Sequence, residues 1–135
     1  MKYLIDTNIL ISAALFPDSV PAQAFVKAVA PPGHAVVCDY SLDEMRRVFN
    51  KKFPHKLSVY ERFVAMMALS VQIISTPTDD ESVDAEKDIR DIKDRPILRA
   101  ALAASVDCII TGDKDFLESG IAVPEMLTAA VFLQR

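Results

Sequence analysis

The chain has 135 residues, two cysteines, a formal net charge of −4 and an apolar share of 51%. That length and apolar share suit one compact domain with one sizeable core, so a single domain over residues 1–135 is expected, and the net negative charge argues against a protein that coats nucleic acid through bulk positive charge. The first residues place Asp6 directly after Tyr3, Leu4 and Ile5, so no apolar signal region is read there and no run is long enough to cross a bilayer; a soluble, cytoplasmic protein without membrane contact is expected. Cys38 and Cys108 each lie in a short apolar run with no nearby cysteine or histidine, which reads as buried thiols rather than a zinc site.

In chain order, a first strand spans Lys2 to Ile5 and runs into Asp6-Thr7-Asn8, after which Ile9, Leu10, Ala13 and Ala14 recur at helical spacing. Pro17 and Pro21 interrupt the pattern, and Ala24, Phe25, Ala28 and Val29 restore it until Pro31-Pro32-Gly33 ends it. A second strand is predicted at Ala35 to Cys38. Ser41 opens the next predicted helix, with Leu42, Met45, Val48 and Phe49 on one face and Pro54 closing it. Leu57 to Leu69 is another amphipathic helix, with Tyr60, Phe63, Val64 and Met67 inward, and Val71 to Ile74 is a third strand.

Residues 75–88 are polar and acidic, and read as a loop and the best candidate for local disorder. Asp94 and Pro96 precede a helix carrying Ile97, Leu98, Ala101, Leu102 and Ala104, and a strand from Val106 to Ile110 ends in Thr111-Gly112-Asp113. Ile121 to Val123 reads as a last short strand, and Pro124 as the first turn of a closing helix with Leu127, Ala130, Val131 and Leu133. Uninterrupted apolar strands separated by helices imply an α/β fold, a three-layer α/β/α sandwich around a mostly parallel sheet.

In such sheets ligands bind beyond the carboxyl ends of the strands. Asp6 and Asp113 both fall at that edge, and the helices beginning near Ser41 and Asp94 can add Glu44 and Asp94 from their first turns. Two carboxylates about 4 Å apart repel by roughly 4 kcal/mol at an effective dielectric of 20, so the group needs a cation or raised pKa values. Oxygen-only ligands suit hard ions, so Mg²⁺ or Mn²⁺ is expected, with Asn8, Thr111 or water completing the shell and Asp115 as a further ligand or an outer partner. A hard ion that keeps water and binds phosphate oxygens points to phosphodiester hydrolysis.

The charge is also unevenly distributed. Residues 79–94 carry eight acids against Lys87, Arg90 and Lys93, whereas residues 45–60 carry Arg46, Arg47, Lys51, Lys52 and Lys56 with no acid. The basic stretch follows Glu44, so Arg46, Arg47, Lys51 and Lys52 are candidates to lead a phosphate backbone to the metal; a solvated helix face, or a protein contact, accounts for them equally.

The segments Leu4-Ile5-Asp6-Thr7-Asn8-Ile9-Leu10, Ser41-Leu42-Asp43-Glu44-Met45-Arg46-Arg47-Val48, Asp94 ahead of Ile97-Leu98-Arg99-Ala100-Ala101, and Thr111-Gly112-Asp113-Lys114-Asp115-Phe116-Leu117 together resemble the PIN-domain nucleases in order and spacing. Within that family the chain is most similar to the small VapC-like toxins. The resemblance implies a Mg²⁺- or Mn²⁺-dependent endoribonuclease acting on RNA, a homodimer, and an antitoxin protein as partner. It also implies a metal site of Asp6, Glu44, Asp94 and Asp113, with the choice between Asp113 and Asp115 as fourth ligand left open.

Each acid has a plainer use. Asp6 suits an N-cap, Glu44 stands at capping-box spacing from Ser41, Asp94 is rivalled by Asp88 and Asp91 and can cap a helix, and Asp113 can belong to a turn. A haloacid-dehalogenase-type phosphatase also places an aspartate, here Asp6, after its first strand as nucleophile, but this chain has Asn8 where that chemistry needs a second aspartate. A catalytically silent RNA- or protein-binding domain is the third possibility, separated from the others by metal-dependent cleavage.

Overall fold

The computed structural model describes residues 1–135. Five strands, β1 (Lys2–Ile5), β2 (His34–Cys38), β3 (Gln72–Ile74), β4 (Cys108–Ile110) and β5 (Glu125–Leu127), form one sheet in the order β3-β2-β1-β4-β5. Every pairing is parallel, with Leu4 opposite Val36 on one side of β1 and Ile109 on the other. The helices are α1 (Thr7–Leu15), α2 (Val20–Val29), α3 (Asp39–Lys52), α4 (Leu57–Ser70), α5 (Arg95–Ala103), α6 (Lys114–Leu117) and α7 (Ala129–Leu133).

Successive strand residues point to opposite faces, and here both faces are covered. Ile5, Ala35, Val37, Cys108 and Ile110 pack with residues of α1, α2, α3, α4 and α7, including Phe25, Met45, Phe49, Met67 and Phe132. Leu4, Val36, Cys38 and Ile109 pack on the other face against Ile97, Leu98 and Ala101 of α5 and Phe116 of α6. The result is the three-layer α/β/α sandwich. The inner strands β1, β2 and β4 are apolar without alternation where both their faces are covered, whereas the edge strand β3 leaves Gln72 and Ile73 exposed. From β1 the chain moves to β2 on one side and later to β4 on the other, so the order reverses between β1 and β4, where open α/β sheets leave a crevice.

No single helix is long and apolar enough to cross a membrane. Away from the sheet, α1, α2 and α4 surround an apolar hollow of about 460 Å³ lined by Ala13, Phe25, Val26, Phe63 and Met66 among others.

Local competition shifts several predicted boundaries. The third helix starts at Asp39, not Ser41: β2 runs straight into it, Asp39 Oδ1 is held by the Thr76 N–H and hydroxyl, and Ser41 is buried against the Cys38 thiol at 3.4 Å. Glu44 therefore lies in the second turn, and Ser41 forms no capping box with it. The last strand is Glu125–Leu127 rather than Ile121 to Val123, because backbone bonds from Glu125 N–H to Asp107 and from Thr111 N–H to Leu127 pair that segment with the open edge of β4. Leu127 is thus a strand residue, and the closing helix begins after Thr128, whose hydroxyl caps it.

The acidic segment expected to be disordered is anchored. It forms short 3₁₀ turns at Asp79–Glu81, Asp84–Asp88 and Ile92–Asp94. The guanidinium of Arg99, on α5, reaches both oxygens of Glu86 at 3.0 and 2.7 Å, the Pro77 carbonyl at 2.9 Å and Asp79 at 3.1 Å. The Arg99 and Glu86 side chains are only 6% and 5% exposed, so their bidentate contact is a buried ion pair.

Removing one member leaves an uncompensated charge, so Arg99→Met is expected to cost about 3–5 kcal/mol, measured by denaturant unfolding, while the double variant Arg99→Met/Glu86→Leu recovers most of it. The bonds from Arg99 hold Glu86 below its ordinary 4.5, so this stabilisation is present above that value and fades as acid protonates Glu86 through its lowered native pKa. A thermal scan against pH should fall more steeply on the acid side for the native chain than for the double variant.

Candidate metal centre

The crevice between β1 and β4 is where the acids gather. Asp6 ends β1 and caps α1: its Oδ1 accepts from the Thr7 N–H at 2.8 Å and its Oδ2 from the Thr111 hydroxyl at 2.7 Å. Thr111, the first residue after β4, also accepts from the Asp113 N–H at 3.0 Å, so one hydroxyl links the two strand ends. Asp113 caps the short α6 by accepting from the Asp115 N–H at 2.9 Å. The plainer reading of Asp6 as a cap is therefore real, and Asp113, expected at most in a turn, is a cap as well. Capping does not remove their charge, and both carboxylates remain in the crevice.

Asp94 arrives from the other side, on the 3₁₀ turn just before α5. It is 9% exposed, and its Oδ2 is buried with no hydrogen-bond partner. Carboxylate oxygens of Asp91, Asp94 and Asp115 lie within 4.8 Å of one another. Asp115 is further held by Arg90, whose Nη2 and Nε stand 2.7 and 2.9 Å from Oδ1. Glu44, on α3, is near enough for its charge to act on Asp6 and Tyr40.

Burial drives Asp6 up to about 6, against the pull of its Thr111 and Thr7 bonds, with the charges of Glu44 and Asp113 adding to the rise. Burial also comes first for Asp94, pushed up to about 8, followed by its carboxyl contact with Asp113 and by the charges of Asp113, Asp6 and Asp91. In the absence of a cation, a proton on Asp94 relieves part of that repulsion.

Of the predicted site residues, Asp94 and Asp115 share the oxygen cluster, Asp113 and Asp6 are near enough for their charges to raise Asp94, Glu44 acts on Asp6 by its charge from α3, and Thr111 orients Asp6. Asn8 is exposed at the start of α1 and makes no side-chain hydrogen bond. Arg46 and Arg47 both pair with Asp43, while Lys51 and Lys52 are exposed without ion pairs. The member of the oxygen cluster that sequence reasoning set aside is Asp91, weighed only as a rival to Asp94. In a 3₁₀ turn residues three apart lie over one another, so Asp91 and Asp94 share a side; their spacing is the signal that could have found it. Arg90 and Tyr40, whose hydroxyl donates to the Lys93 carbonyl at 2.6 Å, carried no sequence signal.

The donors are all carboxylate oxygens, and the orphaned Asp94 Oδ2 is a buried acceptor lacking a donor. Both fit a hard divalent cation.

An α/β sheet with an acidic crevice at its switch point defines the class, and a family match specifies it: the PIN domain model matches residues 2–115. The chain belongs to the PIN domain family, the class of nucleases that its acidic motifs resemble. No curated protein matches it by sequence. Among solved structures it is similar to VapBC2 from Rickettsia felis bound to a DNA fragment from their promoter (TM-score 0.72, 14% identity, 95% of this chain and 98% of that chain). It is also similar to PAE2754 from Pyrobaculum aerophilum (TM-score 0.70, 14% identity, 99% and 88%). A third is Mycobacterium tuberculosis VapC20, a toxin that cleaves the sarcin-ricin loop (TM-score 0.63, 14% identity, 89% and 96%). At that identity these likenesses establish a shared fold.

Because Asp6 and Asp94 hold protons in the native state that the unfolded chain releases near 3.8, native stability in chelator is expected to fall as pH rises through about 6 and then about 8. Asp94→Asn, neutral at every pH, should flatten the upper part of that decline in a thermal scan. An unchanged slope would mean that Asp94 is ionised throughout.

Proposed function

We propose that residues 1–135 form a single domain acting as a Mg²⁺- or Mn²⁺-dependent endoribonuclease, the toxin of a toxin–antitoxin pair. The observation that carries this reading is the crevice in which Asp94, with an unpartnered buried oxygen, meets Asp6, Asp91, Asp113 and Asp115 in a member of the PIN domain family. Asp91, Asp94 and Asp115 would hold the cation directly, with Asp6, Glu44 and Asp113 completing the anionic wall. When bound, such an ion acidifies water and polarises phosphate oxygens.

The chain's own residues do the rest. Thr111 fixes the rotamer of Asp6 by donating to Oδ2, so that Asp6 contributes a fixed negative charge behind the site. Arg90, paired with Asp115 and largely exposed, stands where it can also meet a phosphate oxygen. In-line attack by water needs no covalent intermediate on the protein. Use of Asp6 as a phosphatase nucleophile is poorly supported, since both its oxygens are engaged by Thr7 and Thr111 and the exposed Asn8 offers no general acid.

RNA as substrate is supported by the sarcin-ricin loop cleavage of the Mycobacterium tuberculosis toxin with this fold. The antitoxin partner is supported by the likeness to the Rickettsia felis VapBC2 assembly. The apolar hollow among α1, α2 and α4 offers a surface for that partner or for a second copy in a homodimer. Two free buried cysteines accord with a reducing compartment such as the cytoplasm.

Purified protein is expected to cut RNA in Mn²⁺ or Mg²⁺, and Asp6→Asn, Asp94→Asn and Asp113→Asn should each lower the rate by about a hundredfold or more, since even groups outside the ligand set cost 10–100-fold. Equal cleavage by all three variants would assign the activity to a contaminant. Millimolar Mn²⁺ should raise the melting temperature of the native chain and leave Asp94→Asn nearly unmoved.

A further inference from the structure

Along α3, Glu44, Arg47, Val48, Lys51 and Lys52 recur at the spacing of one helical face. With Tyr40 and Lys93 they line an open groove of about 370 Å³. Lys93 of this groove directly precedes Asp94 in the same 3₁₀ turn, and Glu44 is near enough for its charge to act on Asp6, so the groove borders the carboxylate crevice. Four cationic side chains against one carboxylate line the groove, and although Arg47 also pairs with Asp43 at 3.2 Å, the groove stays positive in a chain whose net charge is −4. Lys51, Lys52 and Lys93 enter no ion pair. Arg46, beside Arg47 in sequence, is outside the groove and bound to Asp43.

We propose that this groove holds the sugar-phosphate backbone of a single RNA strand and feeds it into the carboxylate crevice, with Arg47, Lys51, Lys52 and Lys93 as the phosphate-binding groups. The proposal rests on the nuclease reading above and specifies where its substrate lies. From Glu44 to Lys52 the helix advances about 12 Å at 1.5 Å per residue. At an axial rise of about 3.4 Å per nucleotide in a stacked strand, that length spans roughly three nucleotide steps, so recognition is of backbone and indifferent to base identity. Tyr40 gives the groove its fixed inner wall: its hydroxyl donates to the Lys93 carbonyl at 2.6 Å, tying α3 to the turn that carries Asp91 and Asp94. The cationic stripe is therefore held in register with the anionic centre. A polyanion is drawn along the first and repelled by the second until a cation neutralises it.

The test is binding of a fluorescent oligouridine by anisotropy in chelator, where the strand stays intact, repeated over a range of salt concentrations. Removing one phosphate-binding charge should reduce the slope of log affinity against log salt by about 0.7. The slope should therefore drop by about 1.4 in Lys51→Gln/Lys52→Gln and by about 0.7 in Lys93→Gln. Arg46→Gln, on the same helix but outside the groove, should keep the native slope, and thermal melts of all variants confirm folding.

An equal drop for Arg46→Gln and the groove variants would mean diffuse attraction and overturn the groove. Native binding by all variants, with Mn²⁺-dependent cleavage retained, would overturn the groove and leave the nuclease reading standing. Absence of RNA binding and cleavage in the native chain would remove that reading itself. Displacement of the RNA by a polyglutamate peptide at equal concentration would make the groove a seat for an acidic protein segment and overturn the proposal.

Discussion

Holding Asp6 and Asp94 away from water, side by side with other carboxylates, is the constraint that organises this molecule. A buried carboxylate loses its hydration, and neighbours of like charge add to that cost, so the arrangement persists only where the scaffold offsets it. The offsets are the Thr7 N–H and the Thr111 hydroxyl on Asp6, and on Asp94 a carboxyl pushed up to about 8, so that it holds a proton. The orphaned Oδ2 of Asp94 is the part the protein leaves unpaired. That unpaired oxygen is what the proposed cation would satisfy.

The rest of the fold supplies rigidity to that edge. Parallel strands closed on both faces fix the ends of β1 and β4, and the Asp6 N–H bonds the Ile110 carbonyl at 3.0 Å, which sets the two ends at one level. The third contributor is not part of the sheet. The segment carrying Arg90, Asp91 and Asp94 is short of apolar residues, and its order depends on Glu86 and Arg99 meeting inside the protein and on Ile89 being fully buried. A polar segment with one buried ion pair and one buried apolar side chain can be held without a long helix or a strand of its own.

Helix α3 joins two opposite fields. Its second turn brings Glu44 near enough for its charge to act on Asp6, and the same face continues through Arg47, Lys51 and Lys52, so negative and positive groups follow one another along one rod. Placing the cations one to two turns beyond the carboxylate keeps them from neutralising the site while leaving them within a strand's length of it.

How much of this was legible depended on whether the deciding forces were local. Period and composition marked β1, α1, α2, α4 and α5 closely, because apolar spacing alone decides which face of those elements is buried. The strand-then-acid pattern brought Asp6 and Asp113 together on the same reasoning. Where a partner far along the chain decides, the reading failed: β5 forms at Glu125–Leu127 because β4 offers an open hydrogen-bonding edge, and the acidic segment is ordered because Arg99 comes from α5. Asp91 and Arg90 lay in a stretch with eight acids, where composition could not rank them. Arg46 and Arg47 were indistinguishable as neighbours until the helix, with both reaching Asp43, set only Arg47 along the groove. The sequence by itself determined the layered fold and the acids at its edge, since burial acts on each residue's own chemistry; which oxygens come within reach of one another was decided only when the sheet closed, because distances between remote residues exist only in the folded chain.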